Sequence, residues 1–231
     1  MVVRFIRNDV PFSKRNVVRD EGKEKHRDGV DPRGGMNRPV RADARRNIDI
    51  LLRAALAVFA SSGVDAPARE IADKAGVGVG TLYRHFPQRS DLIVAVFRNE
   101  VDACADAAPV LAAEYEPGDA LDRWLQRYLD FIAAKRGLSA ALHSGNPAFE
   151  SLPIYFQEKL RPALRGLLEA ASKAGKVRAD IDPAELLLAV ARLCAPNDHG
   201  GITEQSRRMV ALLVDGLRYR APTLQPGSST V

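Results

Sequence analysis

The sequence predicts an all-α fold in two parts, a small N-terminal helical bundle followed by a longer helical domain. Three observations carry that prediction. From residue 47 onward apolar residues recur at i, i+3, i+4 and i+7, the spacing of an amphipathic helix and not the two-residue alternation of a strand. Glycine and proline punctuate these stretches. No apolar run approaches the roughly 20 residues that span a bilayer, and 46% apolar with 27% charged residues suits a soluble globular chain of 231 residues.

The first helix follows from Ile48, Leu51, Leu52, Ala55, Leu56 and Phe59, one continuous stripe. Gly63, after "ASS", supplies a left-handed cap. "DAPAREIADKAGV" reads as a short second helix with Asp65 or Ala66 near its N-cap, Pro67 in its first turn, and Ile71, Ala72 and Ala75 facing inward; Gly76 stops it. A third helix covers 79–86, with Leu82 and Phe86 four apart on the inner side. At roughly 12 Å it is too short to persist unless packed on its neighbours. After Pro87 a longer fourth helix carries Ile93, Val96, Phe97, Val101 and Cys104 on one face and runs to about Ala108, where Pro109 is expected to break it.

Beyond "EYEPGD" the helical texture returns. Leu121, Trp124, Leu125, Tyr128, Leu129 and Ile132 form a stripe, "HSGNPAFESLP" interrupts it, and a helix from about Pro153 to Ala174 follows with Pro162 as a kink. "IDPAELLLAVARLC" has the strongest start signal: Asp182 as N-cap, Pro183 at N1, Glu185 at N3, and Ile181 placed to staple Leu186, with Pro196 as the stop. The last helix, about 203–219, carries an apolar arc of Met209, Val210, Leu212, Leu213, Val214 and Leu217, wider than one core-facing side needs. The surplus predicts a subunit interface.

The net charge of +5 is local. Residues 1–46 hold 13 Lys/Arg against 7 Asp/Glu, leaving 21 against 22 for the remainder. The basic segment ends at Arg45 and Arg46, both candidate DNA contacts, because neutralising phosphates releases condensed counterions. The expected organisation is a basic, disordered leader over 1–40, a small helical domain over 41–90, a longer helical domain over 91–220, and a flexible tail over 221–231. Met36 offers an alternative start. "MVVRFIRNDV" has no continuous apolar segment or small-residue cleavage site, so export is not expected and the cytoplasm is. Cys104 and Cys194, far apart in apolar surroundings, read as buried thiols of a reducing compartment.

Helix, short helix, glycine-bearing turn, short helix is a helix-turn-helix arrangement, in which the second short helix enters the DNA major groove and the first braces it. With Leu82 and Phe86 inward, Gly80, Thr81, Tyr83, Arg84 and His85 lie outward or on the flanks. Gly78 and Gly80 let the backbone approach a phosphate at an amide-rich helix start.

"REIADKAGVGVGTLYRHFPQRSDL" resembles the signature of the TetR family of transcriptional repressors, a G-V-x-x-G-T-L-Y-x-H-F core with flanking helices. The resemblance covers about residues 45–100; beyond it, only the helical layout and "GKVRADIDPAEL" are similar to the family. It implies that Val79, Gly80 and Thr81 approach base edges, that Arg84 partners guanine, that Tyr83 and His85 hold phosphates, that Arg69 contacts base or backbone from the bracing helix, and that Arg89 grips phosphate at the fourth-helix start. Two positions depart from the family pattern: Gly78 stands where a Ser/Thr usually opens the recognition helix, and Gln88 with Ser90 replaces a Ser/Asn and acidic pair.

The resemblance also implies a C-terminal ligand-binding domain whose last two helices pair with a second subunit. The partners are then a double-stranded palindromic DNA operator, a small-molecule effector and a second copy of the chain, with no cofactor, no metal and no membrane. A dimer reads two half-sites about one DNA turn apart. Leu186, Leu187, Val190, Met209, Val210, Leu213 and Leu217 are the dimerisation candidates. Trp124, Tyr128, Phe131, Phe149, Tyr155 and Phe156 supply aromatic walls for an effector pocket, with His143 and Asn146 as polar anchors. Helix four is the expected lever, with Arg89 at its DNA end and Cys104 near the second domain.

Two other readings compete. A helical enzyme would need catalytic parts, and the chain has no P-loop, HExxH, GxSxG or CxxC motif; its four histidines, His26, His85, His143 and His199, fall at no metal-ligand spacing. "NDHGG" at 197–201 reads as a connecting loop. A cysteine-based redox regulator would need a basic cluster beside Cys104 or Cys194, and neither has one in sequence. The favoured reading is a ligand-responsive repressor.

Overall fold

The computed structural model describes residues 38–194 and 203–219, with side chains from 46 onward except at 136 and 140. The leader over 1–37, the "NDHGG" loop, Pro196, His26, His199 and the 221–231 tail lie outside them, as does the side chain of Arg45. Every regular element among the described residues is helical, so the chain is all-α. The described residues from 41 onward form one compact unit.

Helix α1 (Arg38–Ser62) starts well before its apolar stripe. Pro39 sits in the first turn, where its missing N–H costs nothing, and Ala42, Ala44 and the arginines are good helix formers. Its stripe is the inner face, with Leu51, Ala55 and Phe59 fully buried. Helix α2 (Ala68–Ala75) takes Pro67 as its N-cap, one or two residues later than the sequence predicts. It ends in a Schellman motif: Gly76 is left-handed at φ 69°, its N–H reaches the Asp73 carbonyl at 3.1 Å, and the Val77 N–H reaches Ala72 at 3.0 Å. Glycine is needed there because a Cβ disfavours that φ. Helix α3 (Val79–His85) follows after three residues, Gly76 to Gly78.

Helix α4 (Arg89–Glu114) does not break at Pro109. The proline leaves the Ala105 carbonyl without its helical donor, yet Leu111 beyond it still packs on the core, and the Trp124 indole N–H donates to the adjacent Cys104 carbonyl at 2.9 Å. Packing on α5 (Pro117–Lys135) therefore carries the helix through a residue that would stop an isolated one. A 3-10 turn over 136–138 and the one-turn helix α6 (Ser139–Leu142) follow. A second 3-10 turn at 147–149 is capped by Asn146, whose side-chain oxygen accepts from the Ala148 N–H at 2.9 Å.

Helix α7 (Leu152–Lys173) contains Pro162 without interruption and packs on both α4 and α5. Helix α8 (Pro183–Leu193) starts as its sequence predicts: the Asp182 carboxylate accepts from the Ala184 and Glu185 amides at 2.8 and 3.0 Å. Helix α9 (Glu204–Arg218) is capped by Thr203, which accepts from the Ser206 N–H at 3.0 Å. Its end is tied down by an Arg218–Asp122 ion pair to α5 and by the Arg178 N–H, which donates to the Leu217 carbonyl at 2.8 Å. No helix among the described residues is long and apolar enough to cross a membrane.

Candidate functional site

The short helix α3 is held by two buried side chains, Leu82 and Phe86, which join the core formed by Leu51, Phe59 and Ile71. That anchoring fixes which way the rest point. Tyr83 is 51% exposed, Gly80 and Arg84 are exposed, and Val79, Thr81 and His85 are half-buried along the flanks. The polar face of α3 is thus set by the helix's two buried anchors, with Tyr83 and Arg84 on the side away from the core and Thr81 and His85 along its edges. At the helix start, the Thr81 N–H reaches the Gly78 carbonyl at 2.9 Å, and neither glycine has any atom within 4 Å of where a Cβ would stand. Nothing inside the protein requires Gly78 or Gly80 to lack a side chain, so the space they leave belongs to the outer surface.

On α2, Arg69 is exposed and lies 3.8 Å from Asp73 one turn on. Arg46 is exposed on α1. Arg89 is put to a different use from the phosphate grip that the resemblance implies. Its guanidinium turns back and donates to the carbonyls of Val64 and Ala66, in the connection between α1 and α2. A chain reversal leaves these carbonyls without helical donors, and a forked cation satisfies two at once. The α4 start is closed separately by the Gln88 N–H, which donates to the Asp91 carboxylate at 3.0 Å. Gln88 therefore needs no acidic neighbour at position 90.

A second site lies among α5, α6, α7 and α8. It is a cavity of about 380 Å³, lined by Tyr128, Phe131 and Ile132 from α5, Phe156 and Gln157 from α7, and Leu187, Leu188 and Cys194 at α8, with Lys135, Ser139 and His143 at its polar end. The aromatic wall is continuous: Tyr128 and Phe131 stack at 6.0 Å and Phe131 and Phe156 at 5.9 Å. Of the expected pocket residues, Tyr128, Phe131, Phe156 and His143 line the cavity.

The others do not. Trp124 is fully buried, stacked on Tyr128 at 5.7 Å with its N–H spent on Cys104. Phe149 is core. Tyr155 points to the α4 side, where its hydroxyl donates to the Asp102 carboxylate at 2.7 Å and Arg98 sits over its ring; burial and that carboxylate push the phenol up to about 12. Asn146 is occupied as a cap. The Tyr128 hydroxyl is likewise spent, donating to the Leu187 carbonyl at 3.0 Å, so this residue offers the cavity a ring and no free donor.

The residue that sequence reasoning missed is Lys135. It is half-buried, and its ammonium lies 5.9 and 6.0 Å from the rings of Phe97 and Phe156. Burial lowers its pKa. The available signal was its position one turn after Phe131 at the end of an amphipathic stripe, where a solvated lysine is the ordinary expectation. Next to it, the His143 Nδ1 lies 2.8 Å from the Ser139 carbonyl. A carbonyl only accepts, so Nδ1 is the donor in this contact.

The dimerisation candidates divide by burial. Leu186, Leu187, Val190, Val210 and Leu217 are buried within the protomer and cannot form an outer face. Leu213 is half-buried. Met209 remains 41% exposed, and Leu188 and Leu212, at 50% and 65%, point outward on the same two helices. The wide apolar arc on α9 thus serves two sides, one already filled by the fold. Cys104 is fully buried and its thiol is pushed up to about 12 by desolvation, which opposes thiolate formation. The cysteine-based reading gains no support.

Residues 51–96 match the family of bacterial regulatory proteins, tetR family, and residues 116–219 match the transcriptional regulator SbtR-like C-terminal domain. The TetR transcriptional regulator SCO0520 from Streptomyces coelicolor is 39% identical with a TM-score of 0.63, over 75% of this chain and 99% of that one. A TetR transcription regulatory protein from Mycobacterium vanbaalenii is 37% identical with a TM-score of 0.62, over 78% and 100%. An HTH-type transcriptional regulator of Staphylococcus aureus strain USA300 is 27% identical over 123 residues, 52% of this chain, and the match spans 66% of that relative's own length. With a helix-turn-helix built as described and both halves matched, the chain belongs to the TetR family of transcriptional regulators.

Proposed function

We propose that the chain is a ligand-responsive repressor that binds a palindromic operator as a homodimer and is released by a small molecule held in the α5–α8 cavity. The observation that carries this reading is the position of one short segment. Lys135, Ser139 and His143 line the cavity, and Gly137 between them rests against the backbone of Phe59 and Ala60 in α1. A ligand that moves this segment moves against the helix that braces α2 and α3. It shifts the equilibrium only as far as it prefers one arrangement over the other.

On DNA, Thr81, Arg84 and the bare backbone at Gly80 would face base edges, and Tyr83, His85, Arg69 and Arg46 would meet phosphates. The outward face of α3 favours this assignment. Leu188, Met209 and Leu212 would mate with the same surface of a second copy, placing two α3 helices on successive major grooves. Selection from random duplex DNA with the purified chain tests the reading. The expected product is an inverted repeat with half-sites about one turn apart. An unenriched pool, or a single asymmetric site, would overturn it.

A further inference from the structure

We propose that the cavity takes a small aromatic or alicyclic carboxylate, with its ring against Phe131 and Phe156 and its anion on Lys135. This rests on the reading of the cavity as the effector site and names the chemistry that the site selects.

Lys135 carries the inference. The residue is half-buried at one end of a cavity whose other walls are mostly rings and aliphatic side chains, with Ser139, His143, Gln157 and Cys194 as the polar exceptions. None of the ion pairs among the described residues involves Lys135, and no carboxylate lines the cavity. Its described contacts are the faces of Phe97 and Phe156, which attract a cation weakly and leave its three N–H donors unspent. A cation taken partly out of water without a counter-ion is costly unless something else supplies one. Burial lowering the Lys135 pKa is the same cost expressed as proton affinity. A ligand carboxylate removes it.

The neighbours fit the same class. The Ser139 hydroxyl can donate to a second carboxylate oxygen. Phe131 and Phe156 stack within 28° of parallel at 5.9 Å, so the wall presents ring faces and edges at van der Waals distance to a planar or puckered ring. At about 380 Å³ the cavity lies at the low end for small-molecule sites, which suits a ligand of one or two rings.

Titration calorimetry of the purified full chain tests this with 2-naphthoate and its neutral counterpart, 2-naphthalenemethanol. Wild type is expected to bind the acid about ten- to a hundredfold more tightly, the span of a charged hydrogen bond formed away from water. Lys135→Met should bring the two affinities together, and Lys135→Arg should restore part of the preference. Equal affinities in wild type, an acid preference that survives Lys135→Met in a folded protein, or no binding of either compound would each overturn the proposal. Should the methionine variant fail to fold, the wild-type acid-to-alcohol ratio decides alone. Adding selected operator DNA separates the two readings. Naphthoate that binds through Lys135 without releasing DNA sinks the effector reading and leaves the anion site standing. DNA release by the alcohol at equal affinity does the reverse.

Discussion

A Cβ on Gly137 would lie 2.6 Å from the carbonyl oxygen of Phe59 and 2.9 Å from the Ala60 nitrogen. The turn after α5 and the second half of α1 therefore touch backbone to backbone, and the contact exists only because residue 137 has no side chain. Neither side can yield by a rotamer change, since the neighbouring atoms belong to the main chain of a helix. Gly137→Ala is expected to cost about 1–3 kcal/mol by overpacking and to alter operator affinity in the absence of any effector. Urea denaturation and an operator titration read the two effects. Wild-type values in both would show that the turn does not press on α1.

At Gly80 the opposite holds. There is no atom within 4 Å of its missing Cβ and no positive φ to preserve. Gly80→Ala should leave the melting temperature unchanged or raise it, since alanine gains up to about 1 kcal/mol of helix propensity. The added methyl faces outward, so operator affinity should fall by about tenfold. Undiminished affinity would mean that this part of α3 does not approach DNA.

Arg69 and Arg89 have different jobs, and salt separates them. Arg69→Ala removes an exposed cation and should lower the slope of log K against log salt by about one, with no change in stability. Arg89→Met removes the clamp on Val64 and Ala66; it should cost about 1.5–3 kcal/mol in denaturant and leave the slope as it is. Tyr83→Phe should weaken operator binding about three- to tenfold without moving either stability or dimer mass.

On α9, neighbouring positions predict opposite outcomes. Leu212 is mostly exposed and Val210 almost wholly buried. Leu212→Asp should halve the mass in solution and keep the helical content. Val210→Asp places an unpaired charge in the core and should unfold the chain or lower its melting point sharply. A dimer that survives Leu212→Asp would move the interface elsewhere.

Asp182 gives a pH dependence of known sign. The Glu185 and Ala184 amides, with Arg161 nearby, hold its carboxyl below the usual carboxylate range. Because the folded value is depressed, the stabilisation is present above the unfolded pKa and is lost as pH falls through the folded one, from about pH 4 downward. Asp182→Asn keeps an acceptor at the cap but cannot titrate, so the acid limb of a melting profile should flatten. An unchanged limb would assign the acid sensitivity to other groups.

The sequence by itself determined the longer helices, though not α6 or the 3-10 turns, and the direction of α3. Spacing alone puts Leu82 and Phe86 on one side, and whatever is not on that side must face out; a period of 3.6 residues leaves no other choice. It determined the α8 start too, because an N-cap aspartate followed by proline acts within four residues. Only the tertiary structure decided the uses that depend on distant neighbours. Arg89 looked like a phosphate contact until the carbonyls of Val64 and Ala66 came within reach, and Pro109 looked like a break until packing on α5 carried α4 past it. Trp124 and Tyr155, rings suited to a pocket wall, are spoken for by a carbonyl and a carboxylate on α4. Lys135 went the other way, from an ordinary helix-end lysine to a half-buried cation beside two rings. In each case the deciding partner lies more than a helical turn away along the chain, and periodicity carries no information about which face of one helix meets which face of another.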